Sequence, residues 1–207
     1  MDVSIGNIAL VIVSIILSMT FHEAMHAFMG HWLGDDTAYN EGRLTLNPLS
    51  HIDPVGTVLL PLALFVMGLP PFGAAKPVPF NPYKVRGGEW GAALVGLAGP
   101  LTNLVLAALG AVILGLTNGW LAQFWVLFIS VNISFFVFNM IPFPPLDGSR
   151  VLYAIAPDGV RGVMRGIEGL GLIGIVAFMF LLFPVVRPFF LEVFNFFYDA
   201  VIRLAIL

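Results

Sequence analysis

The chain has 207 residues and a net charge of −3; 59% of the residues are hydrophobic, 10% are charged and none is cysteine. Soluble domains carry about 25% charged residues, so this composition excludes an ordinary soluble protein and indicates several membrane spans. The acidic balance, with no basic block, predicts that nucleic acid is not a partner. Without cysteine, disulfides, a thiol nucleophile and a cysteine-ligated zinc site are all excluded.

Several stretches of the chain are apolar enough to cross a membrane, which takes about 20 residues. The first runs from Val3 to Phe21 and lacks the charged start and cleavage site of a secretory signal, so we expect a retained span. Further spans are predicted at roughly 90–116, 120–139 and 169–183. The last segment, 188–207, is apolar but carries charges, so a final span and an amphipathic helix in the interface both fit it.

The segment 54–69 is uncharged but interrupted by prolines and glycines, so a re-entrant hairpin fits it as well as a full span. Segments 43–48 and 76–80 have the proline-punctuated pattern of short strands at the membrane surface. We therefore predict an all-α polytopic membrane protein with about four to six transmembrane helices, a re-entrant segment and short surface β-strands. It would form a single domain over 1–207, with a core at about 1–150 and C-terminal helices at about 162–207.

The first predicted span ends in the motif H-E-x-x-H, formed by His22, Glu23 and His26. Residues four apart share one face of a helix, so the two histidines can bind one zinc ion while Glu23 takes a proton from water. Ionisable side chains in a membrane segment are costly and are functional by default. The alternative is a helix end that emerges into water with these side chains solvated.

A catalytic zinc usually has a third protein ligand and an open position for water. His31 lies off the face that carries His22 and His26, and His51 lies in a proline-rich loop, so both are poor candidates. Asp147 follows three prolines that break a helix at membrane depth, where irregular backbone must line protein or a cavity. From the residues alone, Asp147 is equally well explained as an Asp-Gly turn at the surface.

Membrane topology connects Asp147 with the histidines. If 54–69 does not cross, the spans at 90–116 and 120–139 leave and return to the side where the first span ends, and Asp147 arrives beside His22 and His26. The same arrangement gathers most basic residues on the site's side: Arg43, Lys76, Lys84, Arg86, Arg150, Arg161 and Arg165. This bias predicts that the site faces the cytoplasm. We therefore favour the re-entrant interpretation of 54–69.

With these residues in place, the sequence resembles the site-2 protease family of intramembrane zinc metalloproteases, in its compact prokaryotic form. Three blocks carry the resemblance in the family's order: His22–His26, Gly96–Asn103 with the sequence GLAGPLTN, and Asn139–Gly148 with the sequence NMIPFPPLDG. The likeness extends to about Arg150. We therefore expect neither a PDZ nor a CBS domain within the 207 residues.

The resemblance implies one zinc ion per chain, bound by His22, His26 and Asp147, with Glu23 as the general base. It also implies that Asn139 holds the substrate backbone or stabilises the oxyanion. Asn103 is a further candidate for substrate binding. For both asparagines the alternative is hydrogen bonding between packed helices, worth about 1 kcal/mol in membranes.

The activity implied is hydrolysis of peptide bonds in or near the transmembrane segments of membrane-protein or peptide substrates, in the lipid bilayer of the cell membrane (regulated intramembrane proteolysis). The strand-like segments 43–48 and 76–80 could pair with an unwound substrate. Two alternatives are a transporter or channel with a midplane metal or proton site, and a catalytically silent relative that binds membrane proteins. The lack of an inverted repeat and the presence of every proposed ligand and of Glu23 favour the protease.

Overall fold

The computed structural model describes residues 5–68 and 75–206, so the predictions for 3–4, 69–74 and 207 lie outside the described residues. Short 3-10 turns at Pro48–Ser50 and Arg203–Ile206 and π-helical turns at Pro54–Leu59 and Phe178–Leu182 adjoin the α-helices. The α-helices are α1 (Ile5–Trp32), α2 (Thr37–Asn40), α3 (Leu60–Val66), α4 (Gly88–Leu114), α5 (Gly119–Asn139), α6 (Gly148–Ile155), α7 (Asp158–Glu168), α8 (Leu172–Ala177) and α9 (Phe183–Ile202).

Four helical stretches are long and apolar enough to cross a membrane: Gly6–Trp32, Gly88–Leu114, Gly119–Asn139 and Leu172–Ile206. Helices of this kind satisfy every backbone group internally, as the hydrocarbon core requires. The predicted all-α polytopic membrane architecture is therefore confirmed.

The four stretches alternate in direction. The Gln123 side chain near the start of α5 donates to Asn7 Oδ1 near the start of α1, at 2.8 Å. Gly115, which follows α4, lies against the carbonyl of Ala205. The start of α1, the α4–α5 turn and the C-terminal turn thus share one end of the bundle, here called the far end. The connections after α1 and after α5 lie at the opposite end, called the site end.

The segment after the 3-10 turn at Pro48–Ser50 folds back as the sequence favours. Its helical part, 54–66, is about 20 Å long, which is too short to cross the hydrocarbon core. The Lys76 N–H donates to the His51 carbonyl at 3.0 Å, so the chain returns to the point it left. The re-entrant interpretation is therefore confirmed, and the connection between α1 and α4 stays at the site end.

The predicted surface strands are wrong, because the described residues contain no β-strand. Residues 75–81, here called the extended segment, form no β-ladder with another strand. Pro77 and Pro79 have no N–H, and the N–H groups of Lys76 and Val78 bond to the His51 carbonyl and to the Glu23 side chain. The 43–48 segment instead forms a turn, in which Thr45 N–H donates to the Arg43 carbonyl.

The C-terminal segment also differs from the prediction, which separated 169–183 from 188–207. The structure has one continuous helical run of 35 residues, Leu172–Ile206. Pro184 and Pro188 both lie within this run and supply no N–H to its hydrogen bonds. Aromatic contacts such as Phe136 with Phe197, at 4.8 Å between ring centroids, pack this run against α5.

Small residues let α1 approach α4 closely. Gly99 on α4 is buried against α1, where an added Cβ would lie 2.7 Å from His26 Cε1. Membrane helices pack by van der Waals contact, which small side chains permit at short distance. This close contact brings the backbone of α4 next to the histidines of α1.

Candidate metal centre

His22 and His26 occupy successive turns on one buried face of α1, as the i, i+4 spacing predicts. Their rings meet edge to face at 4.7 Å, and their Nε2 atoms lie 3.1 Å apart. His22 precedes the end of α1 at Trp32 by about 15 Å of helix, so the pair lies within the apolar bundle.

The connection between α5 and α6 places Asp147 against this pair. Asp147 Oδ2 lies 3.0 Å from His22 Nε2 and 3.3 Å from His26 Nε2. The residue that follows must be glycine, because a Cβ at Gly148 would lie 2.6 Å from the carbonyl carbon of Met140. The close fold of this loop therefore aims Asp147 at the centre of the bundle.

Helices α6 and α7 brace the same loop from the site end. Arg150 N–H donates to the Asp147 carbonyl at 2.9 Å, and the Arg150 guanidinium pairs with Glu168 at the end of α7. The Tyr153 hydroxyl donates to the second oxygen of Glu168 at 3.1 Å. The loop that carries Asp147 is thus tied to α7 as well as to α6.

Hydrogen bonds on the outer ring nitrogens define the protonation of both imidazoles. His26 Nδ1 lies 2.7 Å from the Val95 carbonyl, which can only accept, so Nδ1 carries the hydrogen. His22 Nδ1 donates in the same way to Asn103 Oδ1 at 2.6 Å. In the neutral rings, both Nε2 atoms therefore direct lone pairs toward Asp147.

With both rings neutral, three acceptor atoms therefore converge: the two Nε2 atoms and Asp147 Oδ2. Asp147 Oδ2 is buried and has no hydrogen-bond donor, although two imidazole nitrogens lie within 3.3 Å. Such an arrangement is repulsive unless a cation or a proton lies between these atoms. Ligands on a tetrahedral zinc ion, with bonds of about 2.0–2.1 Å, are about 3.3 Å apart. The donor set and its spacing fit a metal ion of this kind.

Glu23, which follows His22 on α1, is the next group. It is buried, and its Oε2 accepts a hydrogen bond from Val78 N–H at 3.1 Å. Glu23 adjoins His22 in the chain but is not among the atoms that converge with Asp147. The carboxylate is therefore held beside the metal-binding cluster by the extended segment.

Two further contacts anchor the extended segment on either side of Val78. The buried Arg43 guanidinium donates to the Lys76 carbonyl at 2.5 Å, and Asn81 N–H donates to Asp35 Oδ2 at 2.5 Å. Burial raises the pKa of Asp35, but hydrogen bonds from Thr37 and Asn81 outweigh it and hold this pKa below its ordinary value. An ionised carboxylate thus fixes one end of the segment.

The other predicted site residues have separate places. Asn139 ends α5, and its side chain donates to the Phe135 carbonyl of the same helix at 3.0 Å. Asn103 is fully buried between α1, α4 and α5, where it contacts His22. His31 pairs with Asp36 at 2.6 Å on the surface, and His51 bonds to the Thr45 carbonyl. Among the described residues, the group that could hold a metal ion consists of His22, His26 and Asp147, and we call it the metal-binding cluster.

Two residues near the cluster were not anticipated from the sequence. A Cβ at Gly99 would lie 2.7 Å from His26 Cε1 and 2.8 Å from His22 Cε1, so this glycine makes room for both rings. Asn132, fully buried in α5, donates to the Phe128 carbonyl and accepts from Asn103. A second asparagine in the uncharged span that ends at Asn139 was the available signal for Asn132.

Comparison with known proteins adds an independent line of support. The family model for peptidase family M50 matches residues 116–183. The chain is 39% identical over 173 residues to "Putative zinc metalloprotease YwhC" of Bacillus subtilis (strain 168), across 78% of this chain and 76% of that protein. It is 32% identical over 204 residues to "Putative zinc metalloprotease Rip2" of Mycolicibacterium smegmatis, across 94% of this chain and 75% of that protein. No solved structure matches the chain.

Proposed function

The chain belongs to peptidase family M50, the site-2 protease family of metalloproteases, and we propose that it uses zinc to hydrolyse peptide bonds within or beside the membrane spans of other proteins. The observation that carries this proposal is the position of the His22, His26 and Asp147 cluster. It lies inside a bundle of apolar helices rather than in a water-exposed domain. A substrate must therefore reach the site at membrane depth.

The proposed ligands are His22, His26 and Asp147, whose donor atoms fit zinc. When bound, the ion would polarise the scissile carbonyl and make water more acidic. Glu23 accepts the proton that the attacking water loses and passes it to the nitrogen of the leaving amine. Water is thereby added across the C–N bond, and a carboxylate and an amine are released. The Val78 N–H holds Glu23 in place for both transfers.

Substrate binding is assigned to groups beside this centre. A helical substrate hides its carbonyls in its own hydrogen bonds, so it must unwind before it is cleaved. The extended segment runs next to Glu23 without a ladder partner, so it can accept an unwound substrate as an added strand. Asn139, the last residue of α5 before the loop that carries Asp147, is the proposed contact to the substrate backbone or the developing oxyanion.

The test is cleavage by the purified full chain in proteoliposomes. The substrate is a tagged single-span peptide with a Gly-Pro break in its apolar segment, and an uninterrupted Leu/Ala peptide is its matched control. We expect zinc-dependent cuts within the broken segment, located by mass spectrometry, that disappear on chelation and return with stoichiometric zinc. Zinc flux across the vesicle membrane without any cleavage would instead support the transporter alternative.

The proposed orientation places the metal-binding cluster toward the cytoplasm. The basic residues Arg43, Lys76, Arg86 and Arg150 lie at the site end. At the far end, the described part of the chain has Arg203 in the C-terminal turn, while the turn between α4 and α5 carries no Lys or Arg. Cytoplasmic loops are enriched in basic residues, so this distribution favours a cytoplasmic site end.

Cysteine labelling tests this orientation without background, because the chain has no cysteine of its own. Tyr83 is 97% exposed at the site end, and Asn118 is exposed at the far end. An impermeant maleimide applied to intact cells is expected to label the Asn118→Cys variant and to spare the Tyr83→Cys variant. Inside-out vesicles should give the reverse, and labelling of Tyr83→Cys in intact cells would refute the orientation.

A further inference from the structure

Asn132 is a polar side chain at the centre of α5, with 0% exposure. A buried amide is costly in a membrane unless its donors and acceptor are paired. Asn132 Nδ2 donates to the Phe128 carbonyl at 2.9 Å, and Asn132 Oδ1 accepts from Asn103 Nδ2 at 2.8 Å. The second contact crosses from α5 to α4, so Asn132 does more than pair with its own helix.

The direction of each bond follows from two backbone carbonyls, which can only accept. The Phe128 carbonyl takes the amide N–H of Asn132, so Asn132 must present its oxygen to Asn103. Asn103 Nδ2 also donates to the Ser18 carbonyl at 3.2 Å. Both of its N–H groups are then occupied, and its Oδ1 is left facing the ring of His22.

The last bond of this relay reaches the metal-binding cluster. Asn103 Oδ1 lies 2.6 Å from His22 Nδ1, so Nδ1 must carry the hydrogen and Nε2 the lone pair. The same Nε2 lies 3.0 Å from Asp147 Oδ2. His26 needs no such relay, because the Val95 carbonyl receives its Nδ1–H directly. Orientation by an outer hydrogen bond is the usual way in which a metal-ligating imidazole is held.

We propose that Asn132 is a positioning residue of the metal centre, which acts through Asn103 to hold the tautomer and ring orientation of His22. This role rests on the proposed zinc site. It extends the centre to a third helix, since the relay joins α5 through α4 to α1. A residue that only joined the helices by hydrogen bonds would affect the free energy of unfolding and leave metal affinity unchanged.

The test measures zinc affinity of the purified full chain by competition with a chromophoric chelator. We expect the Asn132→Leu variant, which leaves an Asn103 N–H without its acceptor, to bind zinc about tenfold more weakly. The Asn132→Asp variant, in its protonated form, supplies the same donor and acceptor and should restore most of the affinity. Thr102→Val is the matched control, because the Thr102 hydroxyl bonds to Ala98 of its own helix at 2.8 Å and is next to Asn103 in the chain.

A double-mutant cycle separates positioning from general stabilisation. Asn103→Ala should weaken zinc binding by about 10–100-fold, and adding Asn132→Leu should cause no further loss, because its effect passes through Asn103. Cobalt absorption spectra of the same variants report the ligand geometry directly. Should Asn132→Leu fail to fold, Asn132→Ala takes its place in both the cycle and the spectra.

Each outcome decides between distinct claims. Unchanged zinc affinity and an unchanged cobalt spectrum in the Asn132 variants would overturn the positioning role and leave the zinc site standing. Additive losses in the cycle would overturn it as well. Failure of the unsubstituted chain to bind zinc would overturn the proposed metal centre itself, and the positioning role with it.

Discussion

We expect the Asp147→Ala variant to bind zinc more than about 100-fold more weakly than the unsubstituted chain. Loss of an outer partner of a ligand already costs about 10–100-fold, and this variant removes a ligand itself. Asp147 Oδ2 also supplies the only carboxylate oxygen of the described cluster, so its loss leaves two neutral imidazoles to hold a dication. Metal content of the purified protein and chelator competition measure the effect, and proteolysis should fall in parallel.

Two companion variants make the Asp147 result interpretable. Asp147→Asn keeps the shape of the side chain and removes its charge, so it should also lose zinc while the helical content is unchanged. Asp158→Ala is the matched control, because Asp158 lies at the start of α7 with a side chain that is 98% exposed. Zinc stabilises whatever folded state binds it, so thermal unfolding of the control should shift upward with zinc and that of both Asp147 variants should not.

Retention of zinc by Asp147→Ala would contradict the assignment of the third ligand. Neither of the other two histidines is poised to replace it in the described part of the chain. His31 is held in a surface ion pair with Asp36, and His51 Nε2 is bonded to the Thr45 carbonyl. Retention would therefore require the loop after α5, which carries Asp147, to lie elsewhere in solution.

The positions of the three candidate ligands were predicted mainly from local residue spacing and from membrane topology. His22 and His26 share a helix, so their four-residue spacing alone brought them to one face. Asp147 is far from them in sequence, and it was predicted because an even number of crossings must return the chain to the same side. The hydrogen bond from Lys76 to His51, which closes the re-entrant segment, confirms that step.

The contacts that support the site were less accessible from the sequence. The bond between His22 and Asn103 joins residues 81 positions apart, and it depends on how α1 and α4 are rotated against each other. Neither hydropathy nor spacing specifies that rotation. The need for glycine at position 99 is of the same kind, since it arises only where the rings of α1 touch the backbone of α4.

The strand prediction failed for a different reason. Alternation and prolines predicted a strand at 76–80, but a strand needs a partner, and the N–H groups of Lys76 and Val78 bond instead to the His51 carbonyl and to Glu23. The same observation gives the segment a second use. Its Val78 N–H is the contact that holds the side chain on which the proposed proton transfer depends.

The Glu23→Gln variant is expected to retain zinc and to lose proteolysis by about 10²–10⁴-fold. General acid–base catalysis contributes about this factor, and an amide cannot accept the proton of the attacking water. The substitution is close to isosteric, and the amide oxygen can still accept from Val78 N–H, so the extended segment should stay in place. Single-turnover cleavage of the tagged single-span peptide, at matched zinc content, measures the loss.

Glu41→Gln provides the same chemical change at an exposed position before the extended segment, and it should leave both zinc content and cleavage unaltered. Persistent cleavage by Glu23→Gln would show that another group moves the proton. Loss of zinc together with activity would mean that Glu23 is a metal ligand and not a general base. Retained zinc with abolished cleavage also distinguishes the protease from a transporter. Glu23 is outside the converging ligand atoms, so in a transporter its neutralisation would leave the metal bound and would have no cleavage to abolish.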